Sequence, residues 1–309
     1  MLLAHGAFAP VCLALPIIDV FGSMPRASGV GIGVAISFGW CAYFLPVALL
    51  AFVHLRSAPF IHLKPDMSEA GGQHPRRLPG AVHDLAIRLG VKPKDDPSHV
   101  RLAQTGRMKR NLASDTWMPF TATQTISTHA CEFDWRARAG PFGLISGRDA
   151  LAGGEGRFDI IALGFIPIAR APHTPALVRG ELMRYLAEIA WAPHAILHNR
   201  ALRWRVIDAE TLSVGAGTGE TACQVLLSLD SDGRIAGAFA PDRPRATTAP
   251  ILPTPWRGRF SDYRLHGDIS LPFAGEVAWD IEGREVVYWQ GRIQQWEAPS
   301  AGAPSGAMR

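Results

Sequence analysis

Apolar positions change their period twice along this chain of 309 residues. Gly29 to Val53, "GVGIGVAISFGWCAYFLPVALLAFV", contains no charged residue. At about 1.5 Å rise per residue it exceeds the ~30 Å hydrocarbon core of a bilayer, so it reads as a transmembrane helix. Residues 1–18 are almost as apolar but are interrupted by Pro10 and Pro16, which leaves them as a second candidate span. No Lys or Arg precedes them, so they lack the charged start of a signal peptide. Four prolines (Pro59, Pro65, Pro75, Pro79) and the pair Gly71-Gly72 then mark a linker.

Val82, Leu85 and Leu89 have the spacing of a short amphipathic helix over Gly80 to Val91. From Val100 the period becomes two. In "CEFDWRARAG" (Cys131 to Gly140), Phe133, Trp135, Ala137 and Ala139 alternate with Asp134, Arg136 and Arg138, the pattern of a half-buried antiparallel strand. "QVLLSLDSDGRIAGAF" and "EVAWDIEGREVVYWQGRIQQW" each read as strand, glycine turn, strand. One helix-like stretch interrupts the series, "RGELMRYLAEIAWAPHAIL" (Arg179 to Leu197). The predicted organisation is a membrane anchor over 1–56, a linker over 57–79, a β-rich domain over 80–297 and a disordered tail over 298–309. The fold class is α+β: N-terminal transmembrane segment(s), then a mostly antiparallel, curved, half-barrel-like sheet with one long helix packed on it. An open sheet of many strands must curl or be covered, and two helices are too few to cover a flat one.

Charge and composition narrow the functional classes. The hydrophobic fraction of 48% and charged fraction of 19% are those of a folded protein. The net charge of +4 comes from scattered arginines, with only four lysines, Lys64, Lys92, Lys94 and Lys109. No dense basic run or nucleic-acid-binding motif accompanies it, so weak attraction to anionic lipid is the consequence drawn, and nucleic acid is not a partner. Arg56, Lys64, Arg76 and Arg77 follow the apolar span while only Arg26 closely precedes it. That asymmetry leans towards a cytoplasmic C-terminal domain. Cys131 and Cys223 could pair only if their strands were neighbours.

Candidate chemistry is dispersed. Glu181, Arg184 and Glu188 share one helical face, where one arginine can neutralise both acids in turn; this reads first as a solvated salt-bridge ladder. In a second reading Arg184 and Glu188 close the mouth of a cavity. His194 and His198 have the i, i+4 spacing of a two-histidine metal site but no evident third ligand, so they read as two exposed histidines, with no metal or cofactor assigned. Arg148 and Asp149, in a glycine-rich hairpin, are candidates for a cavity rim. Trp117, Trp135, Trp204, Trp279 and Trp289 fall on strands and Trp191 ends the helix; they read as core or as the aromatic lining of a cavity. "IIALGFIPIA" (Ile160 to Ala169) fits a buried strand or a lipid-facing lip. No nucleophile elbow, HExxH or P-loop is present.

Trp117, Phe120, "FDWRA", "GRDALAGGEG", "RYLAEIAWAP", Pro255-Trp256 and "GEVAW" (Gly275 to Trp279) resemble, in order, a family of uncharacterised, mostly bacterial, membrane-associated proteins. The match runs from about Leu78 to Trp296, and the family carries no established activity. The order of elements resembles more loosely the periplasmic lipoprotein-carrier (LolA-like) half-barrel, which implies a cavity for acyl chains. Those carriers work outside the cytoplasm, so the side of the bacterial inner membrane that the domain faces stays open. Three functions follow as expectations. The first is a membrane-anchored binder of a lipid or other hydrophobic ligand. The second is an enzyme on a lipid-like substrate using Glu188 with Arg148 or Asp149. The third is an assembly factor that binds another envelope protein.

Overall fold

The computed structural model describes residues 78–245 and 250–299. The expected anchor, the linker up to residue 77 and the tail from residue 300 lie outside the described residues. Among the described residues no helix is long and apolar enough to cross a membrane.

A short helix, α1 (Gly80–Arg88), leads into β1 (His99–Lys109), β2 (Trp117–Ser127), β3 (Phe133–Ala139), β4 (Ile145–Ala152), β5 (Glu155–Ala162) and β6 (Ile166–Arg170). A helical section follows, with α2 (Pro175–Ala187) and α3 (Ala195–His198). The chain then forms β7 (Arg203–Val206), β8 (Thr211–Ala216), β9 (Cys223–Leu229), β10 (Ile235–Pro244), β11 (Pro253–His266), β12 (Ile269–Ile281) and β13 (Arg284–Glu297). Among the described residues, thirteen strands pair antiparallel in one sheet, in the order β6-β5-β4-β3-β2-β1-β13-β12-β11-β10-β9-β8-β7. Each wing is a meander of neighbours. The first and last strands join the wings at the centre, with Leu102 opposite Trp296 and Met108 opposite Trp289.

The two edge strands, β6 and β7, are connected through the helical section, so α2 runs between the wings. It packs on β4 and β5 of one wing and on β8, β9 and β10 of the other. Small residues permit two close approaches. A Cβ at Gly156 would lie 2.9 Å from Leu177 of α2, and one at Gly275 would lie 2.9 Å from the Trp191 ring.

The period-two reading of β3 holds: Phe133, Trp135, Ala137 and Ala139 are buried and Arg136 and Arg138 are exposed. The single long helix over 179–197 does not form. Helix α2 starts earlier, with Pro175 in its first turn and the Thr174 side chain accepting a hydrogen bond from the Leu177 N–H at 3.1 Å. It ends at Ala187, passes through a 3-10 turn (Glu188–Trp191) and resumes as the four-residue α3. Pro193 explains the break, because it supplies no N–H and its ring would clash with the preceding turn of a continuous helix.

"IIALGFIPIA" becomes the end of β5, a turn and β6, with residues 163–168 all exposed. Phe165 in that turn is 76% exposed, and Phe142, between β3 and β4, is 98% exposed. The Leu163 N–H donates to the Leu144 carbonyl at 2.7 Å, tying the two loops into one apolar tip. Phe142 and Leu163 both adopt left-handed backbone (φ 55° and 54°), a conformation that costs a residue with a Cβ about 1–2 kcal/mol.

Candidate functional site

The charged face of α2 points inward, not to solvent. Glu181 is buried, and the side chains of Arg184 and Glu188 are only 14% and 12% exposed. This overturns the solvated-ladder reading: α2 lies between two wings, so its polar face meets protein as well. Arg184 Nε donates to Glu188 Oε1 at 2.9 Å, and Arg184 Nη1 contacts Asp149 Oδ2 on β4. Gln124 Nε2 donates to Glu188 Oε2 at 2.5 Å, Gln104 Nε2 to Gln124 Oε1 at 3.3 Å, and Trp135 Nε1 to Gln104 Oε1 at 2.9 Å. The guanidinium of Arg184 also lies over the rings of Phe133 and Trp135, at 4.9 and 5.2 Å. A continuous polar chain thus runs through an otherwise apolar interior from Trp135 to Asp149.

Two oxygens in this interior, Asp149 Oδ1 and Glu181 Oε2, are buried without a hydrogen-bond partner. Burial pushes the Glu181 carboxyl well above the usual carboxylate range. The neighbouring Asp149 charge and a hydrogen bond to Asp149 add to the shift, and Arg243 and Arg184 offset it only in part. A proton on Glu181, donated to Asp149, gives both oxygens a partner. The expectation that one arginine would neutralise both acids in turn fails at Glu181, because desolvation outweighs the attraction. Arg243 lies on the other side of α2, with Nε donating to the Gly180 carbonyl at 3.2 Å and its guanidinium over Trp256 at 4.4 Å and Trp279 at 5.6 Å.

Of the residues singled out in the sequence, Trp135, Asp149, Arg184 and Glu188 come together in this network. Trp191 lies beyond the end of α2, edge-on to Phe260 at 5.2 Å, and donates through Nε1 to the Pro272 carbonyl at 2.9 Å. Trp279 is buried and stacks on Tyr288 at 6.2 Å. Trp204 sits on the edge strand β7, half-buried, its Nε1 without a partner. Arg148 and Trp117 do not join them. Arg148 is adjacent to Asp149 on a strand, so it points to the opposite face, where it pairs with Asp134 at 2.8 Å. Trp117 is on the outer face as well, under the Arg107 guanidinium at 4.7 Å.

The histidine pair also divides. His194 is buried, stacked on Trp296 at 6.2 Å, and burial lowers it to about 4. The expectation of two exposed histidines is therefore wrong: the break after Ala187 turns His194 inward, and the His198 side chain is only 16% exposed. Cys131 and Cys223 are both free thiols, raised by burial to about 11 and about 12; Cys131 lies in the loop before β3 and Cys223 begins β9, and these two strands are not neighbours in the sheet.

A cavity of about 310 Å³ opens beside the network, where the wings approach each other over α2. Leu151, Val178 and Leu182 form its apolar part; Glu132, Thr218 and Thr221 supply polar groups. None of the residues read from the sequence as cavity rim or aromatic lining lines it. Gln104 and Gln124 were missed too, although each is a polar residue at an inward position of an alternating strand, which is the signal that could have found them.

The fold and site together define a class: one antiparallel sheet whose two wings are bridged by a helix with a buried ionic network. The chain belongs to a family of unknown function (DUF6544), whose model matches residues 69–291. No match is found among curated proteins. Among solved structures, a LolA-superfamily protein of Nitrosomonas europaea is similar at 10% identity and a TM-score of 0.39, over 71% of this chain and 94% of that one.

Proposed function

We propose that this protein works at a membrane surface and holds a small amphipathic, lipid-like molecule in the cavity between α2 and the wings. The observation that carries the reading is that cavity, with apolar Leu151, Val178 and Leu182 beside the polar groups of Glu132, Thr218 and Thr221. Its volume of about 310 Å³ is at the small end of ligand sites, enough for one short chain or a compact head group. The raised thiol of Cys131 is neutral at physiological pH and adds to the apolar character.

Two further features support the membrane location. The uncharged run Gly29–Val53 is long enough to span. The apolar tip carrying Phe142 and Phe165 is flanked by the exposed Arg138, which suits contact with an anionic bilayer interface. The catalytic alternative is weakened because both Glu188 oxygens already accept hydrogen bonds, and Arg148 is on the other face of the sheet.

Native mass spectrometry of the full chain, released from mild detergent, tests the ligand. The wild type is expected to carry an extra mass that organic extraction removes and that Thr218→Trp, at the exposed rim, excludes. A wild type with no adduct removes the reading.

A further inference from the structure

We infer that Asp96, His129 and His198 form a binding site for a divalent metal ion, with Zn²⁺ the ion their chemistry suits best. The three residues come from separate parts of the chain: the loop between α1 and β1, the loop between β2 and β3, and the last residue of α3. Their ligand atoms all lie within 4.8 Å of one another. His129 Nε2 is 2.7 Å from Asp96 Oδ1, and His198 Nδ1 is 3.4 Å from the same oxygen. Donors around a tetrahedral zinc are about 3.3 Å apart, given bonds of about 2.0 Å, so small side-chain rotations make room for an ion.

The outer hydrogen bonds set the tautomers. The Thr128 hydroxyl donates to the Pro97 carbonyl, so its oxygen is left to accept from His129 Nδ1, at 3.1 Å. A proton on Nδ1 leaves the neutral ring's lone pair on Nε2, the atom that faces Asp96. His198 Nε2 lies 2.9 Å from the Asp95 carbonyl, which can only accept. Its proton is therefore on Nε2 and its lone pair on Nδ1, again facing Asp96. Two imidazole lone pairs and one carboxylate converge on a common point, with their orientations fixed from behind as in zinc sites. An added proton on one ring can bridge a single contact; a divalent ion satisfies all three donors.

The side chains of Asp96, His129 and His198 are 57%, 44% and 16% exposed, so the site is open for ion entry and leaves a fourth position for water. Two histidines and one carboxylate form a mixed nitrogen and oxygen set that suits zinc better than Ca²⁺ or Mg²⁺, which favour oxygen alone. A bound ion would join the entrance of β1, the β2–β3 loop and the end of the helical section. His129 is two residues from Cys131 in the cavity wall, so occupancy would also fix that wall. The metal site does not depend on the ligand-binding reading.

The test is Zn²⁺ binding by the full chain after EDTA treatment, followed by equilibrium dialysis and, with Co²⁺ as the probe, by visible absorption. One saturable site is expected, with a cobalt band from nitrogen and oxygen ligands. His129→Ala, His198→Ala and Asp96→Asn should each weaken it by at least about tenfold, while His83→Ala should leave it unchanged. Asp96→Asn keeps the shape of an exposed loop residue, so its result stands even if a histidine variant misfolds. Absence of saturable binding, or binding that survives Asp96→Asn and whichever histidine variants stay folded, overturns the site.

Discussion

Glu181 on α2 and Asp149 on β4 present two buried carboxyl oxygens that gain partners only when one of the groups is protonated. Glu181 is the one raised, so the folded state holds its proton more tightly than the unfolded chain does. The stability this contributes is full below the ordinary glutamate value of 4.5 and is lost as pH rises from there through the raised folded value. Glu181→Gln keeps a donor for Asp149 and has no proton to lose. Urea unfolding across pH 5 to 9, a range of about four units around neutrality, should show a flatter profile for the glutamine variant and equal or higher stability at the alkaline end. Parallel profiles would mean that Glu181 is charged in the fold.

Arg184 is the cation for two buried acids, Asp149 and Glu188. Removing it as Arg184→Met leaves both unneutralised and should cost about 3–5 kcal/mol in unfolding free energy. Neutralising the acids together, as Arg184→Met with Asp149→Asn and Glu188→Gln, should recover more than half of that loss. Arg184→Lys should recover little, since one ammonium cannot reproduce the fork that meets both carboxylates.

Trp191 occupies the space that a side chain at Gly275 would need, with ring atoms 2.9 and 3.1 Å from where its Cβ would stand. Gly275→Ala should destabilise the protein by about 1–3 kcal/mol through overpacking. The same change in a Trp191→Leu background should cost measurably less, giving a coupling energy in a double-mutant cycle. Equal costs in both backgrounds would place the strain elsewhere.

The apolar tip separates stability from membrane contact. Phe142→Asn suits the left-handed backbone better than phenylalanine, so it should leave stability unchanged or raise it by up to about 1 kcal/mol. Amide exchange over residues 140–144 and 163–168 of the full chain should slow in anionic compared with neutral bilayers. Phe142→Asn should abolish that slowing. Protection that is indifferent to lipid charge and to the substitution would show that the tip stays in water.

Much of the sheet was legible because alternation along β3, and the glycine turns Asp232-Gly233 and Glu282-Gly283, report local chemistry. The inward turn of Glu181, Arg184 and Glu188 was not legible. Their spacing gives a shared face, but only the position of α2 between two wings decides what that face meets. The break near Pro193 hid the fate of His194 and His198 in the same way. His198 finds its partners in Asp96 and His129, which lie far from it in sequence, so spacing carried no sign of them. Arg148 and Asp149 show the reverse case, since neighbours on a strand must part and the rule was available from the sequence alone.

The pairing of β1 with β13 also has a bearing on how the protein is made. Arg101 meets Glu297, so the middle of the sheet closes only after nearly the whole domain has left the ribosome. Each wing can assemble beforehand from adjacent hairpins, whose loops close with little entropy loss. Until the final strand arrives, β1 and β12 stand as open edges able to capture another chain. A stop codon in the last fifteen or so codons of the domain would therefore do more than trim an end: it would leave two finished halves with a sticky seam between them.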